Sequence, residues 1–187
     1  MCGGRSAACR ARAVYNVAMG ALRHYTYVGP EHVRAAAAAS PAGTPIGSRD
    51  ALARWIAAQV VEAEDAMITA TFVVTLDGAL LVANRRSEHV ACASGQAVLS
   101  AGEMRFALDG ARVVVSNQST GYCPEPASWP AVAEALDRAG IAHGPRFDDE
   151  ITFRRCVKCG ERNLVKDGWF VCAICDATLP ETWNFGG

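Results

Sequence analysis

What this 187-residue sequence has little of narrows its class before any motif is considered. Aromatic residues make up only 7%, so its core is expected to rest on alanine, valine and leucine. Charge of both signs nearly cancels, leaving a net −1 and an isoelectric point near 6.4. A general nucleic-acid or membrane-surface binder needs a positive field, which this balance does not supply. No apolar run approaches the ~20 residues needed to span a bilayer. No repeat of solenoid length is visible, and no βαβ pattern accompanies the cysteines, which argues against a thioredoxin-like redox site.

The first residues lack a clean leader. MCGGRSAACRARAVYNVAMGAL places arginines before an apolar stretch, but Tyr15 and Asn16 interrupt it and no small-x-small cleavage site follows. Met19 is expected to be the natural first residue, with residues 1–22 poorly ordered.

What the chain does have is an α+β pattern followed by a cysteine-rich end. YVGPEHVRAAAAA predicts a helix opening near Pro30, with Pro and Glu in the favoured first turn. SPAGTPIGS is a loop by composition. Asp50 is expected to cap a second helix, in which Leu52, Trp55, Ile56, Gln59/Val60 and Ala63 recur at helical spacing. From Ala70 the pattern becomes strand-like. TATFVVTLDGALLVAN and EMRFALDGARVVVSN each place an Asp-Gly turn between β-rich runs, at Asp77-Gly78 and Asp109-Gly110. Ser128 is the expected N-cap of WPAVAEALDRAG, whose buried stripe is Val132, Ala135, Leu136 and Ala139 and whose stop is Gly140. These segments predict a mostly antiparallel sheet over residues 23–150 with helices packed on one side, an α+β domain. EITFRRC then leads as a strand into a small module over 151–187.

That module carries the strongest chemical signal. In CVKCGERNLVKDGWFVCAIC, Cys156/Cys159 and Cys172/Cys175 form two C-x2-C pairs. Each short turn can aim two thiolates at one ion, and two such knuckles complete a tetrahedral four-sulfur shell. A zinc ribbon is the expected structure, with iron as the other metal that the spacing permits. Four protein thiolates leave no open position, so the expected zinc is structural. Lys166-Asp167-Gly168-Trp169 predicts a third hairpin, and Gly160 a turn with positive φ. Trp169, Phe170, Trp183 and Phe185 are expected to pack the module, with a partner-facing patch as the alternative. The four remaining cysteines (Cys2, Cys9, Cys92 and Cys123) show no disulfide framework, which points to the cytoplasm.

A second constellation lies in irregular segments of the middle domain. His89 in RRSEHVAC, Glu103 in SAGEM and Tyr122 in STGYCPEP have acid–base or anion-stabilising capacity. Ser116, Asn117, Gln118, Ser119, Thr120 and Cys123 surround Tyr122 as candidate ligand-binding groups. The same residue types also serve to satisfy backbone groups of a turn before a helix. A nucleobase-deaminase site is excluded, because the local order is Glu88-His89 and Cys123 has no partner three residues away. Cys92 or Cys123 could pair with His89 as a nucleophile, without a local signature.

The span from GALLVANRRSEHVACASG through LSAGEMRF to SNQSTGYCPEPASW resembles a domain of bacterial effector- and toxin-associated proteins and of plant IQ-motif proteins. That domain carries a His-His-Ser-Ser-Phe turn, an Ala-Gly-Glu and a Ser-Gly-His-Tyr-Arg-Pro before a helix. His89, Ala101-Gly102-Glu103, Ser119, Tyr122 and Pro124 match it here. Glu88, Val90, Ala91, Gly121 and Cys123 depart from it. The whole order of sheet and ribbon is also similar to that of small bacterial proteins. The resemblance implies a site around His89, Glu103 and Tyr122 without naming its chemistry.

Two functions follow as expectations. One is a zinc-stabilised binding or adaptor protein, recognising a small ligand or a protein through the 116–126 loop. The other is a hydrolase- or transferase-class enzyme acting through His89, Glu103 and Tyr122. Neither expectation includes nucleic-acid or membrane partners.

Overall fold

The computed structural model describes residues 22–59 and 66–186. The expectations placed on residues 1–21, Val60 and Ala63 lie outside them. In chain order the elements are α1 (Glu31–Ala37), β1 (Thr44–Pro45), α2 (Arg49–Gln59), β2 (Met67–Thr75), β3 (Leu80–Asn84), α3 (His89–Cys92), β4 (Val98–Ala107) and β5 (Val113–Ser116). A 3-10 turn at Pro126–Ser128, α4 (Trp129–Ala139), β6 (Thr152–Arg155) and β7 (Arg162–Val165) complete the series. The middle of the chain is an α+β structure, built on a five-stranded sheet in the order β1-β3-β2-β4-β5. Every named pair in it is antiparallel.

Local chemistry sets the hairpins. Gly78 and Gly110 take φ of +82° and +67°, the left-handed conformations that only glycine adopts at no steric cost, and so β2 turns into β3 and β4 into β5. Phe72 stands opposite Val82 on one side and Gly102 on the other. Its face of the sheet, with Ala70, Val74, Met104 and Phe106, receives Leu52, Trp55 and Ile56 of α2 and Val132 and Leu136 of α4. Trp55 meets Phe106 edge-on at 6.1 Å, a geometry favoured by the ring quadrupoles.

The helices do not all lie on one side, which corrects the sequence expectation. Val73, Val98 and Ala101 face the other way, under Ala37 of α1 and Val90, Ala91 and Cys92 of α3. Burial on both faces explains why Ala70 through Val74 is an unbroken buried run instead of an alternating one. The short α3 escapes sequence periodicity because four residues hold barely one turn.

Two caps also differ from expectation. Ser48, not Asp50, caps α2: its Oγ accepts the Ala51 amide at 3.2 Å, and Asp50 lies inside the first turn. Ser128 occupies the N-cap position of α4 without capping it, because its Oγ is 2.9 Å from Ser100 Oγ in the interior. Gly140 ends α4 at φ +70° as expected.

After α4 the chain returns along the outer edge of β5. Asp148 donates its amide to the Val115 carbonyl and accepts the Val115 amide on Oδ2, both at 2.8 Å. From there it enters a separate two-stranded sheet of β6 and β7. The Asp167-Gly168 turn forms, with φ of +51° and +70°. It does not make the expected third hairpin, because β7 pairs with β6 and Val171 pairs with Thr178.

Candidate functional site

Cys156, Cys159, Cys172 and Cys175 converge so that their four sulfurs lie within 4.8 Å of one another. The group can hold a metal ion. Sγ of Cys156 is 3.6 Å from that of Cys175, and Cys159 is 3.6 Å from Cys172. Four sulfurs at ~2.3 Å from a tetrahedral ion sit about 3.8 Å apart, so the spacing suits coordination. Gly160, at φ +79°, turns the chain after the first knuckle, and its amide bonds back to the Cys156 carbonyl at 2.9 Å. The amide of Ile174 and Asn163 Nδ2 approach Cys172 Sγ at 3.5 and 3.6 Å. Both donors favour a thiolate at Cys172, whose thiol is lowered from its ordinary value with the Ile174 amide as the foremost cause. Asn163 Oδ1 in turn accepts the Ala173 amide at 2.9 Å, tying β7 to the second knuckle.

The 116–126 loop faces inward and joins the two sheets. Asn117 is 0% exposed. Its Nδ2 donates to the carbonyls of Pro124 and Ile151, each at 2.8 Å, and its Oδ1 accepts the Ile151 amide at 2.7 Å. The side-chain amide thus pairs with Ile151 as a neighbouring strand would. The Thr120 carbonyl accepts Arg162 Nη1 at 2.7 Å and the Cys123 carbonyl accepts the Trp183 indole at 2.8 Å. Cys123, at φ +47°, packs with Phe153 and Phe185. Ser116 Oγ accepts the Gln118 amide at 3.2 Å, and Ser119 Oγ is buried without a partner among the described residues. Gln118 and Thr120 are the exposed side chains of the set. Gly121 lies against the Tyr27 ring, and a Cβ there would collide with it.

His89, Glu103 and Tyr122 are each placed clearly, in different settings. His89 Nε2 lies 2.9 Å from the Gly102 carbonyl. A carbonyl only accepts, so the imidazole proton sits on Nε2. Desolvation pushes the ring down to about 4, and it is neutral at pH 7. Tyr122 is 0% exposed; its hydroxyl donates to the Gln96 carbonyl at 2.7 Å and its ring meets Tyr27 edge-on. Burial raises its pKa above the ordinary phenol value. Glu103 lines an open cavity of about 230 Å³ with Arg105, Ser116, Gln118 and Asp149. Neither His89 nor Tyr122 lines that cavity. Burial pushes Cys92 and Cys123 up to about 12, so both are neutral thiols near pH 7 and poor nucleophiles as placed.

Gly102 explains part of the motif around Glu103. β5 pairs with β4 as far as Glu103↔Ser116 and then crosses over the next β4 residue. A Cβ on Gly102 would overlap the Ser116 carbonyl oxygen. Close approach of backbone to backbone is thus what the glycine provides.

Sequence reasoning missed one feature and left another open. The pairing of Asn117 with Ile151 joins residues 34 apart, and no local pattern announces it. Trp183 and Phe185 pack at the joint and Phe170 packs near the cysteines, as expected, but Trp169 does not pack. It is 72% exposed, and Val157 and Ile174 of the same module are 75% and 69% exposed. Val157 and Ile174 are inner residues of the two C-x2-C turns, and that position was its available signal. No family model, curated protein or solved structure matches the chain.

Proposed function

We propose that the protein is a zinc-stabilised binding protein whose four-cysteine module presents an apolar surface to a protein partner. Zinc is favoured because four thiolates in a tetrahedral arrangement form a closed structural site, with no coordination position for water or substrate. Zinc also explains how so small a module folds: the buried cluster at its knuckles is Cys156, Cys172 and Leu179, and two of these three are the proposed metal ligands.

The observation that carries the partner reading is the exposure of Val157, Trp169 and Ile174 on the knuckles and the adjoining turn. All three are large apolar side chains of one small module, and exposed apolar surface of this kind marks interaction sites where it is contiguous. Recognition is assigned to this surface and not to the 116–126 loop, whose Asn117, Ser119, Tyr122 and Cys123 are all buried. The binding reading is preferred over catalysis because His89 is engaged by the Gly102 carbonyl and Tyr122 by the Gln96 carbonyl, away from the Glu103 cavity.

Native mass spectrometry of the full chain should show one zinc per molecule. A partner recovered with the wild-type protein should be lost from a Trp169→Ser, Ile174→Ser variant that keeps its zinc. Equal recovery by both proteins would remove the assigned surface, and a chain that binds no zinc would remove the metal reading.

A further inference from the structure

The joint between the two sheets depends on the module that the cysteines hold together. Arg162, three residues after Cys159, supplies the donor for the Thr120 carbonyl. Trp183 supplies the donor for the Cys123 carbonyl, and Phe153 and Phe185 cover the Cys123 side chain. The segment bearing Trp183 and Phe185 is itself anchored beside the first knuckle. Asn184 exchanges two hydrogen bonds with the Arg155 backbone, at 2.9 and 2.7 Å, and Arg154 Nη2 donates to the Glu181 carbonyl at 2.6 Å. Arg155 immediately precedes the ligand Cys156. With so little core of its own, the module loses its organisation when its sulfurs lose their ion.

We propose that metal occupancy of the four-cysteine centre latches the 120–124 turn: with metal bound the module seals Cys123 inside, and when the metal leaves the module lets go and that turn becomes surface. The proposal rests on the reading that the four cysteines bind zinc. Metal release then exposes the Thr120 and Cys123 carbonyls, the Cys123 thiol and the aromatic rings of Phe153, Trp183 and Phe185. The molecule thus has two surfaces, selected by zinc.

Cys92 is a built-in control. It and Cys123 are both 0% exposed, but Cys92 is covered from within the α+β domain. Its Sγ is 3.8 Å from the Leu81 carbonyl, and a Cβ added to Gly43 would press on it. Releasing the module should therefore open Cys123 and leave Cys92 closed.

The test uses the full chain with its zinc content measured, treated with iodoacetamide before and after chelation, and peptide mass spectrometry of each cysteine. Alkylation of Cys156, Cys159, Cys172 and Cys175 reports release of the metal itself. The expected result is that chelation speeds Cys123 labelling at least about tenfold over Cys92. Two results would overturn the latch: Cys123 staying as slow as Cys92 while the four ligands label, or Cys92 accelerating in step with Cys123. In a Trp183→Leu variant that retains zinc, Cys123 should label faster while the four ligand cysteines stay protected. Unchanged labelling there would also refute it. A preparation with no zinc, whose four cysteines label at once, refutes the metal reading instead, so the two failures are distinguishable.

Discussion

Replacing Asn117 by alanine should be among the most damaging single changes outside the hydrophobic core. The substitution deletes three hydrogen bonds at a position with no solvent exposure. It leaves the Pro124 carbonyl and both backbone groups of Ile151 without their partner. Each net hydrogen bond is worth about 1 kcal/mol, and each buried group left unpaired costs about 1–3 kcal/mol. The expected loss is therefore about 3–6 kcal/mol, a large share of the roughly 5–15 kcal/mol that holds a domain folded. Urea unfolding at 25 °C in excess zinc, followed by circular dichroism, would show it as a lower midpoint at unchanged slope. Asn117→Asp keeps the acceptor for the Ile151 amide but turns a second oxygen toward two carbonyls. It should be at least as destabilising as alanine. A loss below about 1 kcal/mol for alanine, or an aspartate variant milder than alanine, would refute the view that this amide joins the two sheets.

Three further outcomes follow from other positions. Gly102→Ala should cost about 3 kcal/mol, the upper end for overpacking, because the new Cβ must push Ser116 out of the β4–β5 register; the thermal midpoint checks it. His89 is held near 4 by desolvation, so the unfolded chain binds its proton first as pH falls below about 6.5. Stability is complete above that pH and is lost toward pH 4, at up to about 1.4 kcal/mol per unit from this group. A His89→Gln variant should therefore show a shallower decline in denaturation midpoint than wild type across that window. Trp169→Ser should leave stability within about 0.5 kcal/mol, since the ring is 72% exposed; a larger loss by urea titration would mean that the ring packs in solution.

The parts of this molecule legible in the sequence are those written in short stretches. The two C-x2-C knuckles, the Asp77-Gly78 and Asp109-Gly110 turns and the α4 stripe each depend on residues a few positions apart, so their spacing carries the geometry. What was not legible depends on distant partners. The hydroxyls and amides of SNQSTG suit a ligand or a buried joint equally well. The joint's partners, Ile151 for the Asn117 amide and Arg162 and Trp183 for the Thr120 and Cys123 carbonyls, lie 34 to 60 residues further along. Ser128 reads as a cap until Ser100 claims its hydroxyl. The second helical layer was hidden because α3 is a single turn and α1, legible as a helix from Pro30, is too short and alanine-rich to show which face it buries.

The position of Trp183 also governs the order in which the molecule can be completed. The Cys123 carbonyl waits for a donor 60 residues downstream, and that donor is anchored beside the four-cysteine centre that can hold an ion. The hairpins β2–β3 and β4–β5 close over short loops and can form early, whereas the joint must bear the entropy of a long closure. Under the proposed zinc reading, the final step of folding acquires a rate set by the free zinc concentration. Refolding in limiting zinc should pause with the sheet formed and the last tryptophan still in water.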